Sequence, residues 1–519
     1  MASESPTMKS TKSFLPVFSI ALITLSLAIP TVLRAQTGYT ITNLGSLGGS
    51  SATASAINNS GQIVGSSMIT GDTAFHAFLY DSGIMKDINP VFAMGSDASA
   101  INNRGQVVGY TRAQGFGIQP TQGFFYQNGA STAIAFPNAN STTPSAINDN
   151  GVVVGYYAIE QGSYDRHAFI YNHGFLKDLP GVSFMFSAAT GINNSGQIVG
   201  FSGYSITSDY FGYIVTSNVV TQIAPIDAHR IVPSAINASG QVTVLYSSAP
   251  SAYSFMPGHA FLYSSGVFTD LEASNGMGIF PLAINASGTI VGALSDGYHA
   301  AHAFLYQNGA TIDLNSTLPI GSGWVLAEAD SINDSGQICG YGIYNGHYAA
   351  FLLTPIKATV SGIVALEGIL DLTQISPAAP LGTFHVSFRT PGTTTEVYGT
   401  EVTLTTIAGS PTGTFTVNNV LPGTYDVAIK GVKNLRVVLP KQIISGNIFL
   451  PDVLLPAGDA NNDNSSDSTD FGILIGAFGG DATVVGSGYD PSADFNFDGS
   501  VDSTDFGLLI GEFNNMGSP

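Results

Sequence analysis

The feature that most constrains this chain is a tetrad, Ile-Asn-x-x-Gly, that returns seven times at almost one spacing. The copies begin at Ile57, Ile101, Ile147, Ile192, Ile236, Ile284 and Ile332, and their asparagines stand 44, 46, 45, 44, 48 and 48 residues apart. Self-similarity at such a period means one supersecondary unit repeated, with neighbouring units sharing their cores. Each copy has the same internal grammar. In the first, a short strand ending Ile57-Asn58 meets a Gly turn and then the alternating segment Gln62-Ile63-Val64-Gly65. A variable loop, the aromatic segment His76-Ala77-Phe78-Leu79-Tyr80, an Asp-Ser-Gly turn and a last segment ending Asp87-Ile88 follow. Gly and Asn supply the positive φ that tight hairpins require. Short alternating segments broken this often leave no room for helices. Four antiparallel strands in about 45 residues is the unit of a β-propeller blade.

Closure is testable in the sequence itself. The seventh copy stops after Phe351-Leu352-Leu353 and lacks a fourth strand, while an orphan segment, Tyr39 to Leu44, precedes the first copy. The fourth segments elsewhere end in Asp87-Ile88, Asp178-Leu179, Asp270-Leu271 and Asp313-Leu314, and the orphan ends similarly in Asn43-Leu44. Pairing the orphan with the seventh copy would remove an exposed sheet edge, a need that an open solenoid does not have. The expectation is a seven-bladed β-propeller over residues 37–356.

The paired signatures Ala-Ile-Asn-Asn-Ser-Gly-Gln-Ile-Val-Gly and His-Ala-Phe-Leu-Tyr resemble the HAF repeats of secreted bacterial proteins. Some copies are degenerate: Gln122-Gly123-Phe124 and Phe211-Gly212-Tyr213 replace the triplet, and Val242-Thr243-Val244 lacks the strand glycine. That family is defined by its repeat, so the resemblance implies a fold and no reaction. His76, His167, His259 and His302 share one place in the repeat, which invites the idea of an imidazole ring holding a metal. Equivalent positions of a propeller lie far apart unless they face its axis, so these histidines, and Asp87, Asp178, Asp270 and Asp313, read as packing and strand-end residues.

Composition narrows the function classes. Lys plus Arg is 15 and Asp plus Glu is 35, a net charge of -20 that repels phosphate backbones and disfavours nucleic acid as a partner. The single cysteine, Cys339, excludes an intramolecular disulfide framework and any Cys-based zinc site, and reads as a small buried hydrophobe. Neither Gly-x-Ser-x-Gly, His-Glu-x-x-His nor a Gly-rich phosphate loop occurs. The carboxylate pair of a glycosidase leaves no recognisable spacing. An extracellular hydrolase or lyase acting on polysaccharide therefore stands as the alternative to a non-enzymatic binding protein. Lys9 and Lys12 precede an apolar run from Phe14 to Leu33 that ends before Ala35. That is the pattern of a signal peptide over residues 1–35, with a membrane anchor over 14–33 as the competing reading. Either places the remainder outside the cytoplasm, at the cell surface or beyond.

After residue 356 the period disappears. Residues 357–456 carry longer alternating stretches such as Thr359 to Val364, Phe384 to Phe388 and Gly413 to Val417, which read as a β-sandwich. Its Ser-Gly-x-Val opening and Leu421-Pro422-Gly423-Thr424-Tyr425-Asp426-Val427 segment resemble carboxypeptidase regulatory-like or Cna-B-like modules, in which the tyrosine packs structurally.

Residues 457–519 carry the strongest chemistry. No Lys or Arg follows Lys441, whereas 12 acids do. Eight of them fall in two 12-residue loops with oxygen-bearing side chains at positions 1, 3, 5, 7, 9 and 12. The first offers Asp459, Asn461, Asp463, Ser465, Asp467 and Asp470, and the second Asp494, Asn496, Asp498, Ser500, Asp502 and Asp505. Ca²⁺ takes six to eight hard oxygens, and such a loop wraps them round one ion. Two Ca²⁺ ions are expected, with Ser465 and Ser500 giving main-chain carbonyls and Asp467 and Asp502 acting through water. Position 6 must turn sharply, which Gly499 and Asn464 allow. Helices are expected to start inside the loops. Phe471, Leu474, Ile475 and Phe478 would form a buried stripe on one, and Phe506, Leu509, Ile510 and Phe513 on the other. Aspartate at position 12 followed by a helix resembles a type I dockerin. That resemblance implies a cohesin-like or cell-surface partner, read by Ser468-Thr469 and Ser503-Thr504. The basic pair often found further along each helix is replaced by Ile475-Gly476 and Ile510-Gly511. A polysaccharide or envelope ligand is the expectation for the repeat region.

Overall fold

The structure is a computed structural model. It describes residues 38–519 except 113–120, 160–164, 183–185, 205–208, 224–229, 248–258, 272–276, 296–301, 308, 320, 370–371, 373–381, 407–409, 411, 445, 485 and 519. The signal or anchor segment falls outside the described residues. The described chain is mainly β, with two α-helices confined to its C-terminal end.

The first repeat folds into four antiparallel strands, β2 (Gly48–Ile57), β3 (Ile63–Ile69), β4 (Phe75–Asp81) and β5 (Ile84–Asp87), paired in that order. The same four-stranded unit recurs over 95–134, 141–178, 186–223, 230–270 and 278–313, the fourth and fifth being joined by one parallel bridge, Tyr210 to Arg230. The seventh unit takes three strands from 324–355 and its fourth from β1 (Tyr39–Asn43), which pairs antiparallel with His347–Pro355, Tyr39 opposite Pro355. The orphan segment therefore pairs where the sequence placed it.

Why the asparagine recurs is visible at the inner turns. Asn58 Oδ1 accepts from the Ser60 and Gln62 N–H groups and caps the turn, while Gly61 adopts φ +80°. Its Nδ2 reaches across to the carbonyl of Asn102 in the next unit at 3.0 Å. The same bond runs from Asn102 to Asn148, on to Asn193, Asn237, Asn285 and Asn333, and from Asn333 back to Asn58, at 2.9 to 3.2 Å. Seven side chains thus hydrogen-bond head to tail in a complete circle.

The strand glycine has its own cause. A β-bulge at Ala54–Ala56 thrusts the Thr53 carbonyl towards Gly65, where a Cβ would stand only 2.0 Å from it. Neighbouring units share their cores. Val64, Ala77 and Ile88 of the first pack with Ala98, Ile101, Val107 and Phe124 of the second. Across the closing junction Ala54, Ile63 and Phe78 pack with Cys339 and Ala350, so the lone thiol is a buried hydrophobe. The recurrent His and Asp lie outside these cores, with Asp87, Asp178, Asp270 and His259 exposed, and their pairs link neighbouring strands. His76 Nδ1 meets Asp87 Oδ2, and His302 meets Asp313, each at 2.7 Å across adjacent strands. His167 stacks on Tyr157, whose hydroxyl donates to Asp178.

Residues 358–455 form two sheets, one built on Ala358–Leu366 and Thr412–Val420, the other on Phe384–Arg389 and Gly423–Lys430. Val360, Val364 and Phe415 from the first and Phe384, Phe388, Tyr425 and Val427 from the second fill one core. Tyr425 is buried and its hydroxyl donates to the Leu421 carbonyl, a structural role.

Beyond them lie α1 (Ser468–Ala477) and α2 (Ser503–Glu512), each opened by a capping box from Asp467 or Asp502 with Asp470 or Asp505. The expected buried stripes need correction. Leu474 and Leu509 are fully buried, but Ile475 is 53% exposed, Phe478 51%, Phe506 38% and Ile510 48%. Each ten-residue helix carries two glycines, and only one narrow edge turns inward. This module does not stand apart: Phe497, from the second loop, lies in the core of the two-sheet unit.

Candidate metal centre

Both loops are wound round the carboxylates at positions 1 and 12, which are fully buried in each case: Asp459 with Asp470, and Asp494 with Asp505. Asp470 Oδ1 accepts from the N–H groups of Ala460 and Asn461 and its Oδ2 from Asp467. Asp505 repeats the pattern with Phe495, Asn496 and Asp502. Sequence reasoning assigned these two aspartates as ligands only. Here they also tie the loop to the first turn of the helix that follows. An aspartate suits that double task because it sits at N3 of the helix and reaches back to the cap. The position-6 residues take the expected geometry, Asn464 at φ +71° and Gly499 at φ +91°.

The remaining loop oxygens are spent on local donors. Asp463 accepts from Ser465 N–H and from Asn461 Nδ2, and Asp498 from Ser500 N–H and Asn496 Nδ2. Asp467 and Asp502 accept from Thr469 and Thr504 N–H. Ser465 and Ser500 are half-buried at position 7. Among the described residues, no three carboxylate, imidazole or thiol groups converge into a metal site as they lie. The donor set nevertheless suits a hard cation. Asp459 Oδ1 is buried without any hydrogen-bond partner, and a carboxylate oxygen left unsatisfied in a closed loop calls for a positive charge. Burial pushes the Asp459 and Asp494 carboxyls above their ordinary values and Asp505 up to about 6, against the N–H donors that pull it down.

Two lysines enter the module from the two-sheet unit, and sequence reasoning missed both. Lys430 Nζ donates to Asp459 Oδ2 at 2.6 Å and also to the Asn434 and Gly431 carbonyls. Lys433 Nζ donates to the Asp494 carbonyl at 2.6 Å and lies 3.8 Å from the Phe497 ring centre. The signal, in hindsight, was a pair of lysines just before an acidic stretch that contains none.

Residues 457–514 match the type I dockerin domain.

The dockerin module presents Ser468, Thr469, Ser503 and Thr504 to solvent beside the exposed Ile475 and Ile510. Residues 85–179 match a family described as "Protein of unknown function (DUF3466)". None of the curated proteins matches the chain. Among solved structures, a type II cohesin-X-dockerin complex from Acetivibrio cellulolyticus is 23% identical over 31% of this chain and 97% of that one, with a TM-score of 0.25. The β-propeller domain of the Trilobed protease from Pyrococcus furiosus is 10% identical over 59% of this chain and 97% of that one, with a TM-score of 0.38.

Two further features lie in the repeat region. A cavity of about 900 Å³ runs between the repeats and the two-sheet unit, with Gln241, Asn285 and Asp334 on one wall and Phe388, Glu396 and Tyr398 on the other. A smaller one, about 260 Å³, sits on the axis of the asparagine circle. The seventh unit alone carries an acid three residues before its asparagine. Asp330 stands where the other units have Ser55, Ser99, Ser145, Thr190, Ser234 and Leu282. Burial and the neighbouring Glu328 push its carboxyl well up, and its Oδ2 has no partner.

Proposed function

We propose that this is an exported, non-enzymatic binding and assembly protein. In this reading residues 37–356 form a seven-bladed β-propeller that offers a platform to a ligand or partner, and 357–456 form a sandwich. The dockerin module of 457–519 binds two Ca²⁺ ions and docks to a cohesin-like partner at the cell surface or beyond. The observation that carries the reading is the duplicated loop with its buried, partnerless Asp459 Oδ1 inside a matched dockerin domain. Calcium would be held by Asp459, Asn461, Asp463, Asp467 and Asp470 with the Ser465 carbonyl, and by Asp494, Asn496, Asp498, Asp502 and Asp505 with that of Ser500. Bound there, the ion would add positive charge to four buried carboxylates of which, among the described residues, only Asp459 has an ammonium partner, so binding free energy becomes folding free energy. Ser468-Thr469 and Ser503-Thr504 would read the partner, and the exposed Ile475 and Ile510 give that face an apolar centre in place of a basic one.

The cavity between repeats and sandwich suits a polysaccharide or envelope ligand, since amides and carboxylates face the aromatic rings of Phe388 and Tyr398. Calorimetry on the full chain tests the calcium reading: two binding events in the wild type, one each in Asp470→Ala and Asp505→Ala. No heat with the wild type would end it. Capture of a partner from the envelope fraction, present with calcium and lost with a chelator, tests docking.

A second reading, a polysaccharide hydrolase or lyase, is favoured by one observation, the blade-specific pair Glu328 and Asp330. Product release from a polysaccharide panel that disappears in Asp330→Asn would establish it. Retention without product leaves the binding reading.

A further inference from the structure

The position-1 carboxylates of the two loops differ at both oxygens: Asp494 Oδ1 accepts the Asp498 N–H at 3.2 Å while Asp459 Oδ1 has no partner, and their Oδ2 atoms are held alike but for one donor. In each, Oδ2 accepts the N–H of the position-6 residue, Asn464 at 2.9 Å in the first loop and Gly499 at 3.0 Å in the second. In each, a second donor completes that oxygen. In the second loop it is the neutral hydroxyl of Tyr489 at 2.8 Å. In the first it is the ammonium of Lys430, at 2.6 Å. We propose that Lys430 is the resident counter-cation of the first loop and sets the two loops to different calcium affinities, the second filling first. The proposal rests on the calcium reading above and extends it to a residue outside the dockerin domain.

The ammonium is built in, not resting on a surface. Its three donors are all satisfied, by Asp459 Oδ2, the Asn434 carbonyl and the Gly431 carbonyl, and its side chain is 10% exposed against 0% for Asp459. Lys430 ends the strand Gly423–Lys430, so its position is fixed by the sheet and not by the loop. The segment after that strand holds the same loop from several sides. The Arg436 N–H donates to Asn464 Oδ1, and the Asp459 N–H donates to the Lys433 carbonyl. Lys433, by contrast, contacts the second loop through the Asp494 main-chain carbonyl and forms no ion pair there among the described residues.

The free oxygen of Asp459 is Oδ1, so an ion in the first loop would share one carboxylate with the ammonium. A cation held by the other oxygen of that buried carboxylate would be repelled by the ammonium by enough to weaken binding about tenfold or more. The same ammonium supplies positive charge to the loop when calcium is scarce. The first loop is then held by the sheet, and the second depends on the ion.

The test is calcium titration of the full chain by calorimetry at pH 8, beside Lys430→Met and Lys430→Gln. The glutamine variant keeps a donor within reach of Asp459 and guards against loss of docking. The wild type should show a tight and a weak site. Both variants should tighten the weak site about tenfold and leave the tight one in place, while Lys430→Arg should keep the gap. Assignment follows from Asp505→Ala, which should remove the tight event. Two sites whose affinities do not respond to Lys430→Gln would overturn the proposal and leave the calcium reading standing. Absence of any calcium binding would remove that reading instead.

Discussion

Asn333→Ala is the sharpest probe of the asparagine circle, because it removes the circle's own link between the last unit and the first. The side chain makes four hydrogen bonds. Nδ2 donates to the Asn58 carbonyl at 3.0 Å and to Gln337 Oε1 at 2.9 Å. Oδ1 accepts from the N–H groups of Ser335 at 3.1 Å and Gln337 at 2.9 Å. The residue is 3% exposed, so water does not take over the orphaned groups. At about 1 kcal/mol for each bond, the substitution should cost about 4 kcal/mol. Asn102 makes the same four bonds inside the array, so Asn102→Ala should cost the same. Asn59, which is exposed and bonds Asp334 across the same junction at 2.7 and 3.0 Å, should cost about 1 kcal/mol as alanine, since water takes over its partners. Urea unfolding followed by the fluorescence of Trp324 is suited to the comparison, since it is the chain's one tryptophan and begins the inner strand of the seventh unit. Three of the four bonds lie within the Asn333 turn itself. If Asn333→Ala therefore costs about 1 kcal/mol less than Asn102→Ala, the bond to Asn58 is not made in solution, the circle is open and the reasoning fails.

Removing β1 should leave the strand His347–Pro355 as an open edge, lowering the melting temperature and promoting aggregation in light scattering; unchanged curves would mean that β1 is not part of the seventh sheet. Phe497→Ala should destabilise the two-sheet unit and the dockerin module together, by about 3–5 kcal/mol in one calorimetric transition, because the ring sits in their common core. Without calcium, stability of the module should fall as pH rises from about 4 to about 6. Over that window folded Asp505, its carboxyl held up to about 6, keeps a proton that the unfolded chain has released. A metal-free melting temperature that climbs over this range would contradict the sign.

The period, the turn residues and the pairing of β1 were all legible in the sequence, because local hairpin chemistry and strand alternation write themselves at fixed spacings. The second role of Asn58 was not: its Oδ1 serves its own turn, which is local, but its Nδ2 serves a carbonyl 44 residues away. Loop positions 1 to 12 were legible for the same local reason. Lys430, Lys433 and Phe497 escaped because their partners lie across what composition marked as a domain boundary. The stripe on α1 was misjudged since spacing predicts which residues share a face and not whether anything covers it. Asp330 could have been found by aligning the seven copies column by column.

The seventh sheet also governs how the protein bears tension between its two halves. The chain leaves the repeats through Pro355, the end of a strand that has β1 on one side and Ile338–Tyr344 on the other. Drawing that strand out breaks two ladders at once, where a terminal edge strand would peel from one. The first strand after the N-terminal segment thereby acts as a lock on the exit of the last, and a pull on the C-terminal half is met by both ends of the repeat region together.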